Sequence, residues 1–392
     1  MEDFKKQAVR GVKWNLVEQI LVYMVVFIGT IFLSRILLPE EFGLFGMLTV
    51  LGNLATLVVG MGLSYSVINN QTLLPEDFSS IFWFNLSLGV IVALTFFLCA
   101  PAIAAFYDQP ELLVITRLFC IGFIAQGINS VPVGLLIKGM HFNKLAISNI
   151  FSTVIAYIVS IILALNGYGV WSLVVHFIVL HIVTVLLNLI FCEWKPELSF
   201  RTSSLGKVKI FSANFLGSQL IDFFANNLDS VLIGKYMGKK DLGFFGRASA
   251  LVTTPVTSLG YVINRTFFPW FSALQKNTED LNYRYTQSLR VLVMLIIPIL
   301  LLISINSQEV VLLLFGNQWV AISPFVTLLS VFACFQCVNA FHDSFIISQG
   351  RADILLKVSL IEKSLMVIGV VIGLNFGVLG IIWAKVIVIG SV

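Results

Sequence analysis

Long runs of apolar residues, almost free of charge, constrain this chain more than any other feature. Residues 14–34, 44–64, 81–106 and 286–304 each approach or exceed the roughly 20 residues that cross a hydrocarbon core as helix. Runs of this length are too long for the buried helices of a soluble domain. They lack the strict alternation of membrane β-strands, so the backbone polar groups must be satisfied within helices. Composition closes the alternative: 11% of the 392 residues are charged, against about 25% in soluble domains, too few to build a water-facing surface. The expected fold class is therefore all-α, a polytopic membrane protein of about 12 transmembrane helices in two six-helix bundles.

The apolar pattern predicts spans at 14–36, 43–66, 79–104, 111–134, 145–166, 169–192, 209–234, 241–264, 286–305, 319–347, 355–375 and 377–392, the last of them short and open to truncation. The N-terminal MEDFKKQAVRGVKWN carries acids and precedes a full-length span, unlike a cleavable signal peptide. Placing the N-terminus in the cytoplasm puts fourteen basic residues in inner loops, among them Lys5, Lys6, Lys138, Lys144, Lys195 and Arg201. Four fall in outer loops: Arg35, Lys235, Lys239 and Lys240. That asymmetry predicts an N-in, multi-pass arrangement in a cytoplasmic membrane. The formal net charge of +4 reflects this bias and is no nucleic-acid signal. Cys99, Cys120, Cys192, Cys334 and Cys337 lie in or beside apolar runs, which argues against an extracellular disulfide framework.

The longest inner loop, around 192–207, divides the chain into halves that resemble each other at a shift of 200 residues. Gln19 falls on Gln219, Arg35 on Lys235, the hexamer beginning at Glu41 on that beginning at Asp241, and Gly60 on Gly260. A second echo links 102–112 with 309–320. Six spans per half give a parallel repeat, 1–200 and 201–392, a plan shared by secondary transporters whose substrate site lies between the halves.

The run SRILLPEEFGLFGMLTVLGNL (34–54) carries an R-x-L-x-P-x-x-F-G hairpin. Together with 106–117, 131–144 and 226–249, it resembles the polysaccharide transporter family of the multidrug/oligosaccharidyl-lipid/polysaccharide exporter superfamily, in its O-antigen and colanic-acid exporter type, the Wzx-like flippases. The resemblance covers essentially the whole chain. It implies a flippase that moves undecaprenyl-diphosphate-linked oligosaccharide from the inner to the outer leaflet. The partners it implies are the lipid-linked oligosaccharide, membrane lipid and a coupling ion, H+ or Na+; a monomer is expected, with no cofactor and no nucleic acid.

Charges within spans are costly and functional or paired. Gln219, Asp222, Asn226 and Asp229 follow spacings of three, four and three, and so share one helix face. That stripe must face a bundle interior or a water-filled cavity. Asp222 and Asp229, with Glu18 in the first span, are candidates for ion coupling. The alternative is a packing stripe whose acids are paired with arginine, and the resemblance favours Asp229 as functional. The intramembrane bases Arg117, Arg247, Arg290 and Lys363, with Gln219 and Asn226, are candidates for the diphosphate and sugar, since guanidinium groups bind phosphate in a bidentate fork. Each base could instead snorkel or neutralise an acid. Lys385 is a fifth intramembrane base. The prediction is a net positive cavity between the two bundles.

Other motifs read as packing: the CxxC at Cys334 and Cys337, His176 and His181, and the glycines 369, 373 and 377. There is no Gly-rich Lys-Ser/Thr phosphate loop and no large outer loop, so ATP hydrolysis and polymerase or ligase chemistry are not expected. The competing readings are a cation-coupled drug antiporter of the same superfamily and a lipid II flippase.

Overall fold

The computed structural model describes residues 2–60, 75–201, 209–253, 256, 278–349 and 351–391. Among them every regular element is helical. The first six helices are α1 (Glu2–Ile36), α2 (Pro39–Gly60), α3 (Pro75–Tyr107), α4 (Leu112–Lys138), α5 (Phe142–Leu165) and α6 (Val170–Phe191). After the central loop come α7 (Lys209–Tyr236), α8 (239–253), α9 (Thr278–Ile305), the short α10 (Ser307–Leu314), α11 (Ser323–Ser348), α12 (Ala352–Gly373) and α13 (Gly377–Ser391). Nine helical segments among the described residues are long and apolar enough to cross a membrane. Helix α7 is not among them, because the same polar stripe that singled it out in the sequence lowers its hydropathy. The predicted ends of the second and eighth spans, with Gly260 of the repeat, lie outside the described residues.

Several helices begin before their predicted spans. Helix α1 starts at Glu2 rather than near 14, and α3 at Pro75 rather than 79. Apolar patterning reports the segment inside hydrocarbon, whereas backbone hydrogen bonding continues into the polar interface. The α1–α2 turn shows why the hairpin motif has its residues. Pro39 occupies the first helical position, where its missing N–H costs nothing. Glu41, two positions on, accepts the Leu38 backbone N–H at 2.7 Å, one half of a capping box. Leu33, Leu37 and Phe42 are buried around the turn.

The chain forms two compact units, Met1–Phe224 and Ala225–Val392. Lipid tails are as apolar as leucine, so helices in a membrane associate through close packing and interhelical hydrogen bonds. In the first unit α3 and α4 meet at glycines. A Cβ on Gly127 would lie 2.9 Å from the Asn85 carbonyl oxygen, and one on Gly89 2.9 Å from that of Phe123. The Asn85 amide donates to the Gly127 carbonyl at 3.2 Å. Polar bonds join other pairs: Asn188 donates to Asn129 at 2.9 Å between α6 and α4, and Ser160 to the Ser172 carbonyl at 2.8 Å between α5 and α6. The stretch 192–201 is fastened to the start of α3. Trp83 Nε1 donates to the Glu197 carbonyl at 2.8 Å, the Glu197 N–H to Ser79 Oγ at 3.1 Å, and Arg201 pairs with Glu76.

In the second unit α12 and α13 pack through the glycine run, as expected for a packing motif. A Cβ on Gly373 would lie 2.7 Å from the Gly380 carbonyl oxygen, and Gly369 abuts Ala384. Gly377 opens α13 at φ +74°, a left-handed conformation that glycine adopts without penalty. All five cysteines are free thiols.

Candidate functional site

Each unit has a half-open cavity with polar side chains in its lining. In the first, helices α1, α4, α5 and α6 surround a space of about 290 Å³ lined by Glu18, Gln126, Asn129, Asn149, His181 and Thr184, among others. Glu18 is half-buried and accepts a hydrogen bond from Asn149 Nδ2 at 2.6 Å, which ties α1 to α5. His181 Nδ1 lies 2.8 Å from the Phe177 carbonyl, one turn back on its own helix, so its ring is held by local bonding. His176 packs edge-on against Tyr157. Packing accounts for both contacts, although His181 also reaches the cavity wall.

The second unit holds the larger cavity, about 620 Å³, between α7, α8, α11, α12 and α13. Three carboxylates line it, Asp229, Asp343 and Glu362, and two ammonium groups, Lys363 and Lys385. Amides come from Asn226, Gln336 and Asn339, and an apolar floor from Phe245, Phe332 and Met366. Lys385 Nζ lies 2.5 Å from Asp229 Oδ2, and the side chains of the pair are 16% and 7% exposed. The other oxygen of Asp229 accepts the Ser230 backbone N–H at 2.6 Å. The Lys385 ammonium also sits 5.2 Å from the Phe332 ring and 5.7 Å from that of Phe245, within reach of cation–π attraction. Both charges therefore have partners where water is scarce, the condition under which a buried pair persists.

The candidates separate into groups. Asn226, Asp229 and Lys363 meet at the second cavity, and Glu18 lines the first. Gln219 is half-buried on α7, and the side chain of Asp222 falls outside the described residues. Arg117, Arg247 and Arg290 line neither cavity. Arg117 lies with its guanidinium carbon 4.8 Å from the Phe97 ring centroid. Its Nε is buried without a hydrogen-bond acceptor. Arg247 is half-buried and Arg290 exposed. The second cavity is not basic: three acids and two lysines give a formal charge of −1.

Sequence reasoning did not assign Lys385, Asp343, Gln336, Asn339 or Asn149 to a site. For α11 a signal existed, since Gln336, Asn339 and Asp343 follow spacings of three and four in an otherwise apolar span, the pattern that drew attention to α7. No local signal joins Lys385 to Asp229, 156 positions apart, or Asn149 to Glu18.

Comparison with known proteins places the chain in a family. A family described as "Polysaccharide biosynthesis protein" matches residues 32–324. The chain is 26% identical over 326 residues to the succinoglycan biosynthesis transport protein ExoT of Rhizobium meliloti, covering 83% of this chain and 66% of that protein. It is 25% identical over 372 residues to the teichuronic acid biosynthesis protein TuaB of Bacillus subtilis, covering 90% and 74%. With the lipopolysaccharide biosynthesis protein WzxC of Escherichia coli it shares 23% over 371 residues, 94% and 75% of the two chains. The chain thus spans two thirds to three quarters of the length of these relatives. Among solved structures, the lipid II flippase MurJ in an inward closed conformation superposes with a TM-score of 0.77 at 13% identity, covering 95% of this chain and 85% of that one. An inward-facing multidrug transporter of the MATE family gives 0.70 at 16%, covering 95% and 92%. At these identities the likeness establishes the fold alone: an all-α polytopic architecture shared with these proteins.

Proposed function

Because the chain belongs to the polysaccharide biosynthesis protein family, we propose that it translocates an undecaprenyl-diphosphate-linked oligosaccharide from the inner to the outer leaflet of the bacterial cytoplasmic membrane by cation-coupled alternating access. The observation that carries this reading is the family match over three quarters of the chain, joined to a transporter fold. A diphosphate in hydrocarbon is prohibitive, so a flippase must replace its hydration with a wet, polar path while the lipid tail stays in the bilayer. In this proposal the halves 1–200 and 201–392 rock about a path between them. Arg117, Arg247 and Arg290 receive the diphosphate at successive depths, while Lys363, Gln219 and Asn226 contact the sugar. Glu18, Asp222 and Asp229 exchange the coupling H+ or Na+. Asp229 takes part by trading its Lys385 partner for the ion.

The N-terminus is cytoplasmic in this reading, as the Lys/Arg asymmetry requires. In a cysteine-free background, Lys239→Cys should react with an impermeant maleimide added to intact cells and Lys138→Cys should not; the reverse pattern overturns the topology. For coupling, Asp222→Asn should leave the protein folded and membrane-inserted yet block polymer export in cells lacking the native gene. Full complementation by both Asp222→Asn and Asp229→Asn would remove these acids from the mechanism.

One observation favours a second reading. The carboxylates of the second cavity, with Phe245 and Phe332 beside them, suit a cation-coupled drug antiporter of the same fold. Such a protein would extrude a cationic dye such as ethidium from energised cells, and the flippase would not.

A further inference from the structure

We infer that the 620 Å³ cavity of the second unit is a subsite for the sugar portion of the substrate, selective for neutral over acidic sugars, and that it takes no part in holding the diphosphate. The inference rests on the flippase reading and adds to it which chemical moiety this cavity accepts. The volume lies within the roughly 300–1,000 Å³ of small-molecule sites. That is far more room than an ion needs. Among the described residues no group of three or more His, Cys, Asp and Glu side chains is arranged to hold a metal ion, and exchange of one ion at Asp229 would leave most of the space unused.

What remains is a wall that both donates and accepts hydrogen bonds. Asn226, Gln336 and Asn339 offer both functions, and Gln336 Oε1 is buried without a donor. Asp229 is satisfied by Lys385 and Ser230. Neither Asp343 nor Glu362 makes a side-chain hydrogen bond among the described residues, so their oxygens are available acceptors. Vicinal hydroxyls donate to carboxylates and amides, and the apolar face of a pyranose fits against Phe245 and Phe332. An anion meets the opposite conditions. The lining carries one more negative than positive charge, so phosphate or a uronic acid enters against repulsion in a low dielectric.

Equilibrium binding of tritiated maltotriose to the purified full chain tests this, with tri-galacturonic acid, inorganic pyrophosphate and sodium chloride as competitors. The wild type should bind maltotriose, unlabelled neutral oligosaccharide should displace it, and pyrophosphate and tri-galacturonate should need at least about tenfold more, because each charge-assisted bond is about twice as strong as a neutral one. Asp343→Asn with Glu362→Gln should weaken maltotriose about tenfold and let tri-galacturonate compete. Asn339→Leu, which fills the cavity without changing charge, should weaken every sugar. The inference is overturned if maltotriose fails to bind, if pyrophosphate or sodium displaces it as well as sugar does, or if both variants bind it unchanged. If proteoliposomes flip lipid-linked oligosaccharide while these sugar results fail, the subsite is wrong and the flippase stands. If sugar binds as described and nothing is flipped, the transport reading is wrong and the subsite stands.

Discussion

Replacing Lys385 with Met is expected to cost about 3–5 kcal/mol of stability, the largest single-residue effect on folding in this chain, because it strands a buried carboxylate. Asp229 is 7% exposed and its Oδ2 lies 2.5 Å from Lys385 Nζ. Without that ammonium, only the Ser230 bonds remain to offset its desolvation. The pair also joins α7 to α13, so its loss loosens the wall of the second cavity. Removing both charges is a different experiment. Asp229→Leu with Lys385→Met keeps volume and leaves no orphaned ion, and should recover most of the loss, to within about 1–2 kcal/mol of wild type, since buried pairs contribute little net stability over apolar substitutes. Thermal unfolding of the three proteins in detergent gives the comparison. A single variant as stable as wild type would show that water reaches Asp229 and that the pair is not needed to keep it charged.

The second large effect falls on transport. Arg117→Ala should lower the apparent affinity for lipid-linked oligosaccharide about 10–150-fold, the equivalent of one charged hydrogen-bonding group at about 1.5–3 kcal/mol. Of the three arginines, Arg117 is the best documented candidate. Its side chain is half-buried on α4, its Nε is buried with no acceptor, and Phe97 steadies the guanidinium plane at 4.8 Å. A buried donor without an acceptor is costly and is relieved when an anion arrives. Arg117→Lys keeps the charge and loses the fork, and should recover only part of the affinity. Initial rates of polymer export against substrate supply separate an affinity effect from misfolding, which would lower the amount of protein instead. Export unchanged in Arg117→Ala would take this residue out of the diphosphate path.

The helices were legible from the sequence because hydrocarbon imposes a length and an apolar character that few other environments demand. Boundaries were less so: α1 begins at Glu2 because a helix does not stop where the hydrocarbon does. Within the sites, what could be read was what one helix displays. The α7 stripe, and the unused α11 stripe of Gln336, Asn339 and Asp343, follow from a period of 3.6. What could not be read was pairing between helices distant in sequence. Asp229 could be read as paired, but nothing in the sequence names its partner as a lysine from α13, nor that of Glu18 as an asparagine from α5. A count of intramembrane bases likewise gives no hint that the second cavity collects three acids with two lysines. Charge totals over a membrane chain say nothing of which face each side chain presents, and a cavity is defined by faces.

The central claim is that this chain carries a lipid-linked oligosaccharide across the bilayer. The most direct test is to reconstitute the purified protein in proteoliposomes whose undecaprenyl-diphosphate oligosaccharide bears a fluorophore on the sugar, impose a cation gradient, and follow quenching by an impermeant reductant added outside. The claim predicts that protein-containing vesicles expose labelled sugar well beyond the static outer-leaflet pool, faster with the gradient than without it and more slowly with Arg117→Ala. Vesicles whose quenching matches protein-free controls, with and without the gradient, would contradict it.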